Sequence, residues 1–155
     1  MSTGECHERR LWATHRSRSG FEAVIGEASR AIRQEGLHII GRLDVRDHFW
    51  RDLGRDFRQY FLIEAWSPEL ALEALRHNLD VGTLLPTTFA IYELADGETA
   101  VVAKEPLSPI ATERDWRVDV PAIAAIADRE SERVARVLAR LQHASSHSAS
   151  VLPAA

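Results

Sequence analysis

Two glutamates stand inside apolar stretches that favour β-strands, where carboxylates can do acid–base chemistry. Glu64 interrupts YFLIEAW, and Glu93 ends FAIYE. A pair of carboxylates in one cleft can act as general acid and general base when burial separates their pKa values. The alternative is structural, because strand alternation puts Glu64 on the less buried face, where it can pair with an arginine such as Arg42. We favour the structural interpretation and keep the carboxylate pair as an alternative.

A second group of candidates stands at two joints between predicted elements, at 66–68 and 86–88. Ser67 is a favourable N-cap and Pro68 suits the first helical position, so a helix begins here. A tryptophan beside free helix amides can stack on a planar ligand while the amides hold an anion. Packing of Trp66 in the core or in a dimer is the alternative. The candidate ligand-binding residues are Glu64, Trp66, Ser67, Pro86, Thr87, Thr88 and Glu93.

Metal, thiol and phosphate chemistry have less support in the sequence. The seven histidines show no metal-ligand spacing, so we expect no metal; a haem or metal carrier that uses His38, His48 or His77 stays an alternative. The single cysteine, Cys6, cannot form an intrachain disulfide. No nucleophile elbow, dinucleotide fingerprint or phosphate loop is present. We therefore expect no cofactor.

Composition and charge narrow the class of protein. The chain has 155 residues, 45% hydrophobic and 27% charged, which suits one globular domain. Its 23 acidic residues exceed its 19 basic ones, and no basic stripe favours nucleic-acid binding. No apolar stretch approaches the ~18 residues of a membrane helix, and the N-terminus lacks the apolar core of a signal peptide. We expect a cytoplasmic protein without nucleic-acid or membrane partners.

Periodicity and turn signals place these candidates on a series of elements. They predict the order β-α-β-β-α-β-β-α in one domain from 10 to 143, with 1–9 a flexible N-terminus and 144–155 a disordered tail. Ser19 and Glu22 form a capping box for the first helix. Asp96-Gly97 is a strong hairpin signal. A charged segment at 46–54 favours a short extra helix. The mixture of hairpins and helical crossovers predicts an α+β domain with a largely antiparallel sheet and helices on one face.

The sheet face without helices is predicted to be apolar. In the second strand, alternation predicts one face with Leu37, Ile39, Gly41 and Leu43 and another with His38, Ile40, Arg42 and Asp44. Ile40, Tyr60, Leu62, Trp66 and Tyr92 would then stand on the uncovered face. Such a face is too apolar for free solvation. We expect a second copy of the chain to cover it, giving a homodimer.

Residues 41–109 contain SPELALEAL after an aromatic strand, the LLP joint, a strand that ends in Tyr92-Glu93 and the ADG turn. In this combination, the segment resembles the domain of unknown function 302 family. The resemblance implies a curved antiparallel sheet of the TATA-binding-protein-like type, often in a dimer, and a small-ligand-binding or accessory role. Many members carry cysteines where this chain has Trp66 and Thr87, so thiol chemistry there is absent from this chain.

Together these observations favour a non-catalytic homodimer that binds an unidentified small molecule or serves an accessory role. The alternatives are an enzyme that uses Glu64 and Glu93, a haem or metal carrier that uses a histidine, and an oligomerisation module without a pocket.

Overall fold

The computed structural model describes residues 12–104 and 120–148, and the elements there follow the predicted order. The strands are β1 (Trp12–Ser17), β2 (His38–Asp44), β3 (Tyr60–Trp66), β4 (Thr87–Glu93) and β5 (Thr99–Lys104). The helices are α1 (Phe21–Gln34), α2 (Val45–Leu53), α3 (Pro68–His77) and α4 (Val120–Ser148), with a 3-10 helix at Leu79–Leu84. The predicted flexible segment 1–9 lies outside the described residues. α4 continues to Ser148, past residue 144, where the tail was predicted to begin.

The five strands form one sheet in the order β1-β5-β4-β3-β2, with every neighbouring pair antiparallel. This confirms the predicted α+β class. α1 and α4 contact the sheet and each other, while α3 contacts α4 and the 3-10 helix. None of the described helices combines the length and apolar character that crossing a bilayer requires.

The core lies between the sheet and the helices α1 and α4. Buried side chains from alternate positions of β3, β4 and β5 meet the apolar stripes of these two helices, as strand and helix periodicities require. This cluster includes Ile32, Leu37, Ile63, Phe89, Ile91, Val101, Val137 and Leu141. A second cluster joins α3, the 3-10 helix and the first turns of α4, through Leu70, Ala74, Val81, Ile123 and Ile126.

Most of the predicted helix caps and turns are confirmed, and one prediction is wrong. Ser67 accepts a hydrogen bond from the Leu70 amide and caps α3. Asp96-Gly97 forms the hairpin turn, with Gly97 at φ 80° and the Glu98 amide bonded to the Asp96 carboxylate. The predicted capping box is absent, because Gly20, with φ 80°, occupies the N-cap of α1 and no side chain caps there. The Ser19 hydroxyl instead accepts a hydrogen bond from Ser17.

A β-bulge in β2 overturns the predicted faces of that strand. Ile39 pairs with Ala65 and Gly41 pairs with Glu64, so Ile40 is an extra residue in the ladder. An extra residue moves every later side chain to the other face of the sheet. Arg42 therefore lies on the helix side, opposite Ile63. Gly41 and Leu43 lie on the opposite side, which the prediction assigned to Arg42.

Candidate functional site

The two joints of the predicted ligand site lie side by side. Antiparallel pairing of β3 with β4 sets Ala65 opposite Thr87 and Glu64 opposite Thr88. The end of β3 and the beginning of β4 therefore share one end of the sheet, and the Leu85–Pro86 peptide bond, which is cis, leads into β4. Leu85 packs against the cluster formed by α3 and α4. This register brings the two joints to the same end of the sheet.

The sheet nevertheless separates the predicted site residues into two groups. Glu64, Trp66 and Thr88 project from the side away from α1 and α4, which we call the open face. Ser67 and Thr87 are buried on the helix side. Side chains at adjacent strand positions point in opposite directions, so one small ligand cannot contact Trp66 and Thr87 together.

On the helix side, the amino end of α3 is already satisfied by the protein. The Ser67 hydroxyl accepts from the Leu70 amide at 3.5 Å and donates to the Glu69 carboxylate at 3.0 Å. The backbone amide of Glu69 and then the Ser67 hydroxyl lower the pKa of the Glu69 carboxyl below its ordinary value. An acidic side chain of the protein thus occupies the place that the sequence assigned to a ligand anion.

Glu130 of α4 is a buried acid beside this helix end that the sequence analysis missed. Its side chain is only 3% exposed, and among the described residues neither carboxylate oxygen has a partner with full hydrogen-bond geometry. Burial raises the pKa of Glu130, and the Ser67 amide and then Arg133 partly oppose that rise. The Thr87 hydroxyl is also buried, and no described residue forms a hydrogen bond with it. The sequence did contain a signal for this burial, because the helical spacing of Ala127, Glu130 and Val134 puts Glu130 on the apolar stripe of α4.

On the open face, no described cationic side chain pairs with Glu64. The predicted pairing with Arg42 is wrong, because the bulge turns Arg42 to the helix side, where its Nη2 donates to the Ser29 hydroxyl at 3.0 Å. No ion pair of Glu64 is present among the described residues. Its carboxylate lies over Gly41, where a Cβ atom would stand only 2.6 Å from Glu64 Oε2. The absence of a side chain at Gly41 therefore leaves room for this carboxylate.

Four side chains share this end of the open face and form the candidate site. His38 lies opposite Trp66, and Glu64 lies opposite Thr88. Directly paired residues of an antiparallel ladder stand on the same face with close Cβ atoms. The group offers an aromatic surface, a carboxylate, a hydroxyl and an imidazole. This arrangement can stack on a planar group and accept hydrogen bonds from a donor or cation.

Glu93 does not belong to this group. Glu64 is opposite Thr88, and Glu93 lies five residues further along β4, opposite Thr99. Five strand residues correspond to about 17 Å. The parity of the strand also turns the two glutamates to different faces. The structure therefore does not bring together the carboxylate pair that the enzymatic alternative needs.

The other end of the open face carries an aromatic ladder. Tyr60 and Tyr92 stack with ring centroids 5.4 Å apart and planes 11° apart. Phe57 contacts Tyr60, and Phe49 of α2 contacts Phe57 edge-on at 5.4 Å. Phe49, Phe57 and Leu53 are all exposed. α2 buries none of its residues, so the ladder joins an apolar helix surface to the apolar sheet face.

The histidines of the metal-carrier alternative do not converge. His38 begins β2, His48 lies in α2 and His77 ends α3. No cluster of three or more histidine, cysteine, aspartate or glutamate side chains with the geometry of a metal site occurs in 12–104 and 120–148.

An open antiparallel sheet with helices on one face defines this chain as an α+β domain built from one sheet and one helical layer. The chain belongs to the family described as "Domain of unknown function DUF302", whose model matches residues 13–141. It is similar to the crystal structure of an uncharacterized conserved DUF302 protein from Bacillus stearothermophilus, with 25% identity and a TM-score of 0.73. That similarity covers 85% of this chain and 98% of the other. No curated protein matches the chain. The resemblance drawn from residues 41–109 is confirmed.

Proposed function

We propose that the protein is a non-catalytic homodimer that binds a small molecule at the Trp66 end of its open face. The observation that carries the proposal is the division of this face into two chemically different ends. One end has the aromatic ladder and the exposed apolar side of α2. The other has His38, Glu64, Trp66 and Thr88. The separation of Glu64 from Glu93 leaves the enzymatic alternative without its acid–base pair, and the single cysteine supports a cytoplasmic location.

The aromatic end is the better candidate for the dimer interface. Tyr60, Tyr92, Phe57 and Phe49 are residue types that dominate the centres of protein interfaces. Their partial exposure leaves apolar area for a second copy to bury. An isologous contact would set the same ladder against itself across a two-fold axis.

The Trp66 end is a poorer dimer interface and a better ligand site. Burying the Glu64 carboxylate against another apolar face would cost free energy, because it has no cationic partner among the described residues. A small molecule with a flat ring and a cationic or donor group would instead satisfy both Trp66 and Glu64. Thr88 and His38 would supply further hydrogen bonds at the rim.

The dimer is tested by sedimentation equilibrium at micromolar concentration, where we expect twice the 17.4 kDa monomer mass. Phe57→Glu places a charge in the ladder and should give monomers. Leu72→Glu is the matched control, because Leu72 is a similarly exposed leucine on α3, away from the open face. A monomeric wild-type protein, or equal effects of the two substitutions, would contradict the interface.

The ligand site is tested with tryptamine, a cationic ring compound, and with indole-3-propionate as its anionic counterpart. In amide NMR spectra, tryptamine should shift the signals of residues 38, 64, 66 and 88 more strongly than the anion does. Trp66→Ala and Glu64→Gln should each remove the shifts. Trp50→Ala, at an exposed tryptophan of α2, should leave them unchanged. Equal shifts with the anion, or shifts that persist in Trp66→Ala, would contradict the site.

A further inference from the structure

Among the described strands, β2 forms one edge of the sheet and has a strand neighbour on one side only. The main described contacts of β2 are with β3 and α1. An edge strand carries backbone N–H and C=O groups that its own sheet does not pair. β2 is also highly exposed, with Ile40 at 48% and Leu43 at 37%. This edge therefore offers both backbone hydrogen bonds and apolar contacts to an extended chain.

A groove of about 620 Å³ runs along this edge. Its wall is formed by residues 36–42, which include the first part of β2, and by Arg33 from the last turn of α1. A groove between an edge strand and a helix is the geometry in which proteins accept a peptide as an added strand. The groove is separate from the aromatic ladder and does not depend on the dimer proposed above.

The lining of the groove is basic. Arg33, His38 and Arg42 contribute to it, and none of the described residues that line it is acidic. Arg42 is held in place because it donates to the Ser29 hydroxyl, which in turn donates to the Ile25 carbonyl at 2.7 Å. A guanidinium has five N–H donors, so Arg42 keeps donors for another partner. Arg33 is exposed and has no ion pair among the described residues. Charge complementarity thus favours an acidic occupant.

From these observations, we propose that the β2 edge binds an extended acidic peptide segment, which adds to the sheet as a further strand. Alternate side chains of a strand point to opposite faces. Acidic side chains at every second position would therefore face Arg33 and Arg42 on the helix side. Apolar side chains between them would lie against Ile40 and Leu43. The bulge at Ile40 interrupts regular pairing, so the docked segment is short.

The test uses a fluorescein-labelled peptide of four Glu-Val repeats and follows its anisotropy during titration with the full chain. We expect saturable binding, with a Lys-Val peptide and a proline-interrupted Glu-Val peptide each bound at least about tenfold more weakly. Arg33→Gln and Arg42→Gln should each weaken binding about tenfold. Arg76→Gln, at an exposed arginine of α3, is the control and should have no effect. Amide hydrogen exchange should slow in residues 38–44.

Four results would overturn the proposal. They are a Glu-Val peptide that does not bind saturably, equal binding of the proline-interrupted peptide, protection that falls on β1 instead of β2, and full displacement by millimolar succinate. The last result would identify the groove as a small-anion site without strand addition. A monomeric protein that still binds the Glu-Val peptide at β2 would support this inference while refuting the proposed dimer.

Discussion

Replacing the buried acid Glu130 should stabilise the protein at neutral and alkaline pH. The side chain is almost fully buried and its oxygens have no partner with full hydrogen-bond geometry among the described residues. Leaving a buried polar group unsatisfied costs about 1–3 kcal/mol, and more when the group is charged. Methionine has a similar length and no charge. We therefore expect Glu130→Met to raise the free energy of unfolding by about 1–3 kcal/mol at pH 8.

The pH dependence follows from the direction of the pKa shift. Burial raises the pKa of Glu130 in the folded protein above its ordinary value of 4.5. The folded state then holds the proton more tightly than the unfolded chain does. The contribution of Glu130 to the free energy of unfolding is therefore fully present below pH 4.5. It falls as pH rises to the folded-state pKa and is constant above that pKa. Within that window each pH unit removes about 1.4 kcal/mol. The gain in free energy of unfolding from Glu130→Met should therefore be small at pH 4 and reach its full value at pH 8.

Urea unfolding of both proteins at pH 4, 6 and 8 measures this difference. In thermal scans, each kcal/mol should correspond to about 2–4 °C for a chain of this size. Glu130→Gln keeps the side-chain shape and an acceptor for the Ser67 amide. The free energy of unfolding of this variant should therefore lack the pH dependence that Glu130 gives the wild type, with the least change in packing. If Glu130→Met were destabilising at pH 8 and kept the wild-type pH dependence, the carboxylate would be well paired and our reasoning refuted.

Three further substitutions test the packing and the chain turns by urea unfolding. Arg136 and Arg140 of α4 form ion pairs with the Glu35 carboxylate and cover it, so its side chain is only 8% exposed. These hydrogen bonds lower the pKa of Glu35 below 4.5. Glu35→Gln should cost about 1 kcal/mol at pH 7, and this loss should shrink as pH falls from 4.5, where the unfolded chain takes up the proton, through the lower pKa of the folded protein; a constant loss would contradict the pairing. Phe89→Ala should cost about 3–5 kcal/mol, against less than about 0.5 for the exposed Leu72→Ala; comparable losses would contradict the core. Gly54, at φ 62°, ends α2, so Gly54→Ala should cost about 1–2 kcal/mol. Gly26→Ala, in the middle of α1 with free space around the added Cβ, should instead gain up to about 1 kcal/mol.

The fold was largely predictable because its local signals agree with its global pattern. Ser67 and Pro68 are both favourable at a helix N-terminus, and Asp96-Gly97 suits only a few tight turns. Apolar residues recur at the strand or helix period wherever one face is buried. A capping box at Ser19 failed because Gly20 adopts a positive φ and takes the N-cap position itself.

The candidate site was only partly predictable, because one extra residue changes which side chains meet. Alternation alone cannot show the bulge at Ile40, and that bulge turns Arg42 to the helix side, away from Glu64. The meeting of Trp66 with the beginning of β4 was predictable from antiparallel pairing. The burial of Glu130 was not, because a charged residue on an apolar stripe is ordinarily at its exposed margin.

The order of strands in the sheet also determines when each strand can pair while the chain emerges from the ribosome. β1 is made first, but its one neighbour among the described strands is β5, which is made after α1, β2, α2, β3, α3 and β4. Until β5 appears, β4 is an edge strand, although Phe89 and Ile91 on it become fully buried in the finished domain. Contacts between distant segments form slowly, and open strand edges promote aggregation meanwhile. The nascent chain therefore carries an unpaired apolar strand edge until β5 pairs with β4.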